Sequence, residues 1–120
     1  MNKSILIVED EILPAISLRD FLLLRRYENV KIAKNYDEAI DLLDHNQFDV
    51  VVLDVFLLGK KTGVDVAKYI RKKEIDTKII YTSAISFMSQ LRDEMDETNP
   101  LHIINKPYSL EVLFRAIQKA

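Results

Sequence analysis

The chain has 120 residues, 48% of them hydrophobic, which is the length of one domain with enough apolar material to bury a core without cross-links. Its 17 basic and 19 acidic side chains leave a formal charge of -2, which offers no general attraction to a nucleic-acid backbone or an anionic lipid surface. With no cysteine, disulfides and thiolate metal sites are excluded. The apolar start is too short for a signal-peptide core, and no run approaches the ~20 apolar residues of a membrane span. The expectation is one soluble, cytoplasmic domain over residues 1–120 that binds neither nucleic acid nor membrane.

Residues 3–8, KSILIV, read as a first strand running into Glu9-Asp10. Over residues 11–26, Ile12, Ala15, Ile16, Arg19, Leu22 and Leu23 recur at helical spacing, and Pro14 is tolerated because it falls in the first turn. Residues 30–33 form a short strand. Asn35 followed by Glu38 is an Asn-led variant of the capping box, opening a helix with Ala39, Ile40 and Leu43 inward. Residues 48–53, FDVVVL, leave no polar face for solvent, so they form a central strand ending at Asp54.

After a loop over residues 59–63, Val64, Ala67 and Ile70 mark the inner face of a third helix, with Lys68, Arg71, Lys72 and Lys73 on its outer face. Asp76 is expected to turn the chain. Residues 78–82 are the fourth strand, running into Ser83, and Phe87, Leu91 and Met95 mark a fourth helix ending near Asn99-Pro100. Residues 101–105 are the fifth strand, running into Lys106. Ser109 caps a last helix with Leu110, Leu113 and Ile117 inward. Five strands alternating with five helices imply an α/β fold, a doubly wound parallel sheet covered on both faces.

In such a sheet ligands bind outside the carboxyl ends of the strands, which is where Glu9, Asp10, Asp54, Ser83 and Lys106 fall. Each has an ordinary reading by itself, as a turn residue, a helix cap or a solvated charge. Together they form a pattern. Three clustered carboxylates repel one another unless a cation neutralises them, and an all-oxygen donor set suits magnesium better than zinc. With that charge neutralised, Asp54 can attack phosphorus as a carboxylate nucleophile. Lys106 would pair with one phosphoryl oxygen and Ser83 would hydrogen-bond another.

These residues, from ILIVEDE through Asp54 and Ser83-Ala84 to NKPYSLEVL, resemble over the whole chain the receiver domain of two-component response regulators. The resemblance implies a flavodoxin-like (CheY-like) sheet of order 2-1-3-4-5. It implies magnesium held by Glu9, Asp10, Asp54 and the backbone carbonyl of Phe56, and Asp54 as phosphoacceptor. Thr82 and Ser83 both fit the family's hydroxyl position, and Ser83 is preferred because it directly precedes Ala84. The Lys106-Pro107 bond is expected to be cis.

The sequence departs from the family pattern in three places. The loop after Asp54 lacks the usual Met-Pro pair. Ile103 stands where an aromatic residue often reports phosphorylation, which leaves Ile103, His102, Tyr108 or movement of residues 83–87 as candidates for the switch. Phe56 replaces a commonly polar residue, and with Ile85 it is expected to limit the attacking water.

The resemblance implies a signalling module, an enzyme only toward its own phosphorylation and dephosphorylation. Its partners would be a histidine kinase or phosphotransfer protein, docking on the first helix, and a downstream effector domain or protein; a phosphorylation-dependent dimer also fits. A magnesium-dependent phosphohydrolase of the haloacid-dehalogenase kind would need a second aspartate where Phe56 stands. A nucleotide- or flavin-binding module would need a glycine-rich loop where EDEILP stands. A non-phosphorylated scaffold of the same fold would have no use for the full set of acids, hydroxyl and lysine.

Overall fold

The computed structural model describes residues 3–120 and, of residues 85–90, the backbone alone. The elements follow in strict alternation: β1 (Ser4–Val8), α1 (Ile12–Leu24), β2 (Asn29–Ala33), α2 (Tyr36–His45), β3 (Val50–Asp54), α3 (Gly63–Lys72), β4 (Lys78–Ala84), α4 (Ile85–Glu97), β5 (His102–Lys106) and α5 (Leu110–Lys119). The sheet is parallel throughout and ordered β2-β1-β3-β4-β5, the expected doubly wound arrangement. β1 and β3 are buried along their whole length, which explains why their sequences run apolar without alternation.

Alternation along each strand divides the core in two. Leu6, Val51, Leu53, Ile79 and Tyr81 face a layer closed by α2, α3 and α4. Ile5, Ile7, Val50, Val52 and Ile80 face one closed by α1 and α5, where Tyr27 and Phe114 meet edge to face at 6.2 Å.

The caps agree with the local chemistry, with one difference from expectation. Asn35 accepts from the Glu38 N–H at 2.9 Å, but the Glu38 carboxylate reaches the Lys34 N–H at 3.0 Å instead of returning to Asn35. The reciprocal box forms on α3, where Thr62 and Asp65 cap each other. Ser109 caps α5 as expected.

Four expectations need correction. The inward stripe of α1 is Ala15, Leu18 and Leu22, while Ile12 and Leu23 are exposed; the helix is apolar nearly all round, so spacing alone could not orient it. Arg71 turns away from solvent to donate to the carbonyls of Thr98, Thr77 and Asn99. The reversal after α3 is made by Glu74, whose φ of 55° lies in the left-handed region, and not by Asp76. Finally, Asp54, Ser83 and Lys106 belong to their strands instead of following them. The inward placing of Phe87 lies outside the described side chains. Among the described residues no helix is long and apolar enough to cross a membrane.

Candidate functional site

Strand register assembles the site. Val8 pairs with Leu53, Asp54 with Thr82, Ser83 with Asn105 and Ala84 with Lys106, so the strand ends stop at one level. The Glu9 N–H donates to the Ala33 carbonyl at 3.0 Å, carrying β1 pairing one residue past the strand. Beyond Asp54, Val55 donates to the Thr82 carbonyl at 3.0 Å and Gly63 donates to the Val55 carbonyl at 2.8 Å, which folds the following loop back onto the strand end.

Carboxylate oxygens of Glu9, Asp10 and Asp54 lie within 4.8 Å of one another. Glu9 and Asp54 are buried, and Asp10 is half-buried. The Lys106 ammonium stands 3.1 Å from Asp54 Oδ2 and 3.6 Å from Glu9 Oε1. Burial opposes charge on Lys106, but Asp54 and Glu9 outweigh it and hold its pKa above the ordinary lysine value. For Glu9, burial and then the neighbouring Asp54 push the carboxyl up to about 8, against the pull of Lys106. A single ammonium therefore does not neutralise the cluster.

These donors fit a hard divalent cation: three carboxylates converge, all ligands are oxygen, and the crowding that raises the Glu9 carboxyl is what a bound cation would relieve. Phe56, two residues past Asp54, lies in the loop and is 36% exposed. Ser83 is fully buried, and its hydroxyl donates to the Ala84 carbonyl at 3.1 Å. The Lys106-Pro107 bond is cis, as expected.

The candidates for a switch do not converge. His102 is exposed at the start of β5, about 13 Å from Lys106 at ~3.3 Å per strand residue. Ile103 packs on the α3–α4 side of the sheet and Tyr108 on the α1–α5 side, where burial raises the phenol pKa. The Ile85 side chain lies outside the described residues.

Two features went unread in the sequence. A Cβ on Gly63 would stand 2.0 Å from the Asp54 carbonyl oxygen, so only glycine fits there; the signal was a glycine opening a helix directly after a capping threonine. Beside the site, Glu9, Glu11, Pro14, Ser17, Lys106, Pro107, Tyr108 and Leu110 line a cavity of about 500 Å³, with Ile12 and Leu13 of α1 exposed nearby in sequence. Nothing local predicts a cavity made by elements some 90 residues apart.

The chain matches the family model of the response regulator receiver domain over residues 5–118. It is 30% identical over 115 residues to the sensory transduction protein LytR of Staphylococcus epidermidis, covering 95% of this chain and 44% of that protein. It is also 30% identical over 118 residues to the transcriptional regulatory protein PdtaR of Mycobacterium tuberculosis, covering 98% and 56%. The chain thus spans about half the length of these curated relatives. Among solved structures, a CheY-like receiver domain protein from Methanospirillum hungatei superposes with a TM-score of 0.89 at 21% identity, covering 99% of this chain and 93% of that one. The receiver domain of a sensor histidine kinase from Pseudomonas aeruginosa, with a magnesium ion coordinated in its active-site cleft, superposes at 0.85 and 21% identity, covering 99% and 97%.

Proposed function

This chain belongs to the response regulator receiver domain family, and from that membership we propose that residues 1–120 act as a phosphoacceptor switch in a two-component phosphorelay. The observation that carries the reading is the buried Asp54 carboxylate, with Glu9 and Asp10 within 4.8 Å and Lys106 at 3.1 Å. The phosphoryl donor would be a phosphohistidine on a kinase or phosphotransfer protein. Asp54 attacks phosphorus, an oxygen–phosphorus bond forms, and the nitrogen–phosphorus bond breaks with its electron pair returning to the donor imidazole. Water later attacks the same phosphorus, releasing phosphate and restoring the carboxylate.

Lys106 already points its ammonium at Asp54, so on transfer it can follow the negative charge onto a phosphoryl oxygen with little movement. The Ser83 hydroxyl must turn from the Ala84 carbonyl, a rotation about one side-chain bond, to donate to a second oxygen. Glu9, Asp10, Asp54 and the Phe56 carbonyl would hold magnesium, which when bound supplies the positive charge needed to bring two anions together. The exposed Ile12 and Leu13 and the cavity beside Lys106 suit docking of the phosphoryl donor, and an effector domain or protein would receive the altered surface. The chain would then catalyse only its own phosphorylation and dephosphorylation.

The test is incubation with magnesium and a small acyl phosphate or beryllofluoride, comparing wild type with Asp54→Asn by intact mass and fluorine NMR. An adduct in wild type alone is expected. Its absence from both proteins, or its presence in both, refutes the phosphoacceptor role of Asp54.

A further inference from the structure

We propose that Tyr81 is a positioning residue that couples the Asp54 site to the C-terminal end of α4 through its hydrogen bond to Thr98; this rests on the phosphoacceptor reading above. Tyr81 is fully buried on β4, two residues before Ser83 and so on the same face of that strand. Its strand neighbours are Leu53, adjacent to Asp54, and Ile103.

The Tyr81 hydroxyl lies 2.7 Å from Thr98 Oγ1, and Thr98 Oγ1 donates its proton to the Met95 carbonyl at 2.6 Å. The direction of the first bond is therefore fixed, with Tyr81 donating and Thr98 accepting. The Thr98 carbonyl in turn accepts from Arg71 Nε at 2.7 Å, which brings α3 into the chain of contacts. A leucine or phenylalanine would fill this core position without bringing a hydroxyl to desolvate, so the bond is what the tyrosine adds.

The other end of α4 starts at Ile85, directly after Ala84 closes β4, with no intervening loop and no side-chain cap. The helix is thus joined to β4 by the chain itself next to Ser83 and by Tyr81 at Thr98, about 20 Å along at ~1.5 Å per residue. A shift of the β4 end reaches α4 at both points, and the helix follows as a body. Ile103, aliphatic and half-buried against the same layer, has no polar side-chain group to make a contact of this kind.

The test compares wild type, Tyr81→Phe and Thr98→Val with and without magnesium and beryllofluoride. Fluorine NMR scores the adduct on Asp54, and amide shifts of residues 95–99 with the Arg71 Nε–H score α4. In wild type the adduct is expected to move these signals. In both variants it should form with affinity within about twofold, while the adduct-induced shifts fall by at least half. A merely structural tyrosine would move the signals equally in both states and leave their difference unchanged. That result, or wild-type shifts confined to the Asp54 site, overturns the coupling alone. No adduct in wild type overturns the phosphoacceptor reading and the coupling with it.

Discussion

Replacing Gly63 with alanine should damage the site from outside it. The added Cβ would lie 2.0 Å from the Asp54 carbonyl oxygen, 2.9 Å from its carbon and 3.2 Å from Val55 Cα, all backbone atoms that no rotamer change can clear. Reaching an ordinary contact of 3.4 Å requires the two backbones to part by about 1.4 Å. That movement breaks the 2.8 Å bond from Gly63 N–H to the Val55 carbonyl. Overpacking costs about 1–3 kcal/mol and the lost bond about 1 kcal/mol, so the urea midpoint should fall by roughly 2 M at about 1.5 kcal/mol per molar. Displacing a nucleophile by ~1 Å costs about a hundredfold in rate, and phosphorylation by a small acyl phosphate should fall by that order. Gly59→Ala is the control. Gly59 has φ of 105° and open space around its Cβ direction, so alanine there should cost about 1–3 kcal/mol and leave the phosphorylation rate within twofold. A folded Gly63→Ala protein that is phosphorylated at the wild-type rate, or a Gly59→Ala protein equally impaired, refutes this reasoning.

Three further outcomes follow from the geometry. Because the Glu9 carboxyl is raised to about 8 in the folded protein from 4.5, the folded state keeps a proton that the unfolded chain releases. Without divalent cation, stability should therefore fall as pH rises between those values, by up to about 1.4 kcal/mol per pH unit, and magnesium should restore it at the upper end. Glu9→Gln should flatten this component of the curve in urea titrations at pH 5, 6.5 and 8; parallel curves for the two proteins would count against the raised carboxyl. Phe56→Asn should lose its phosphoryl group several-fold faster by admitting water, and an unchanged rate of dephosphorylation sinks that role. Tyr27 is 1% exposed and its hydroxyl has no hydrogen-bond partner among the described residues, so Tyr27→Phe should be as stable as wild type or more so by about 1 kcal/mol. A loss of that size would show instead that the hydroxyl bonds a buried water.

The strand ends could be read from the sequence because β1 and β3 are buried on both faces, so each apolar run stops where the chain meets polar surroundings at Glu9 and Asp54. The parallel order then brings such residues to one edge without further information. The faces of α1 were harder: Ile12, Leu13, Leu23 and Leu24 remain exposed on a helix whose buried residues are Ala15, Leu18 and Leu22. Arg71 sits among Lys68, Lys72 and Lys73 and looks like one more solvated charge, yet its planar fork reaches three carbonyls. The bond between Tyr81 and Thr98 spans 17 positions and has no local signature. Ser83 lies within β4 near its carboxyl end, and the turn of its hydroxyl toward the Ala84 carbonyl depends on a rotamer that no spacing rule fixes.

The sheet that separates the two layers also separates two kinds of change. Among the described residues, Ile80 and its neighbours in the α1–α5 layer share no side chain with the layer containing Ile79, Tyr81 and Met95. Substitutions in the α1–α5 layer can therefore accumulate on one side of the sheet while α4 keeps its packing on the other. On the proposed function, recognition of a donor and delivery of the signal would then fall to different layers, joined through the strands whose ends carry the site.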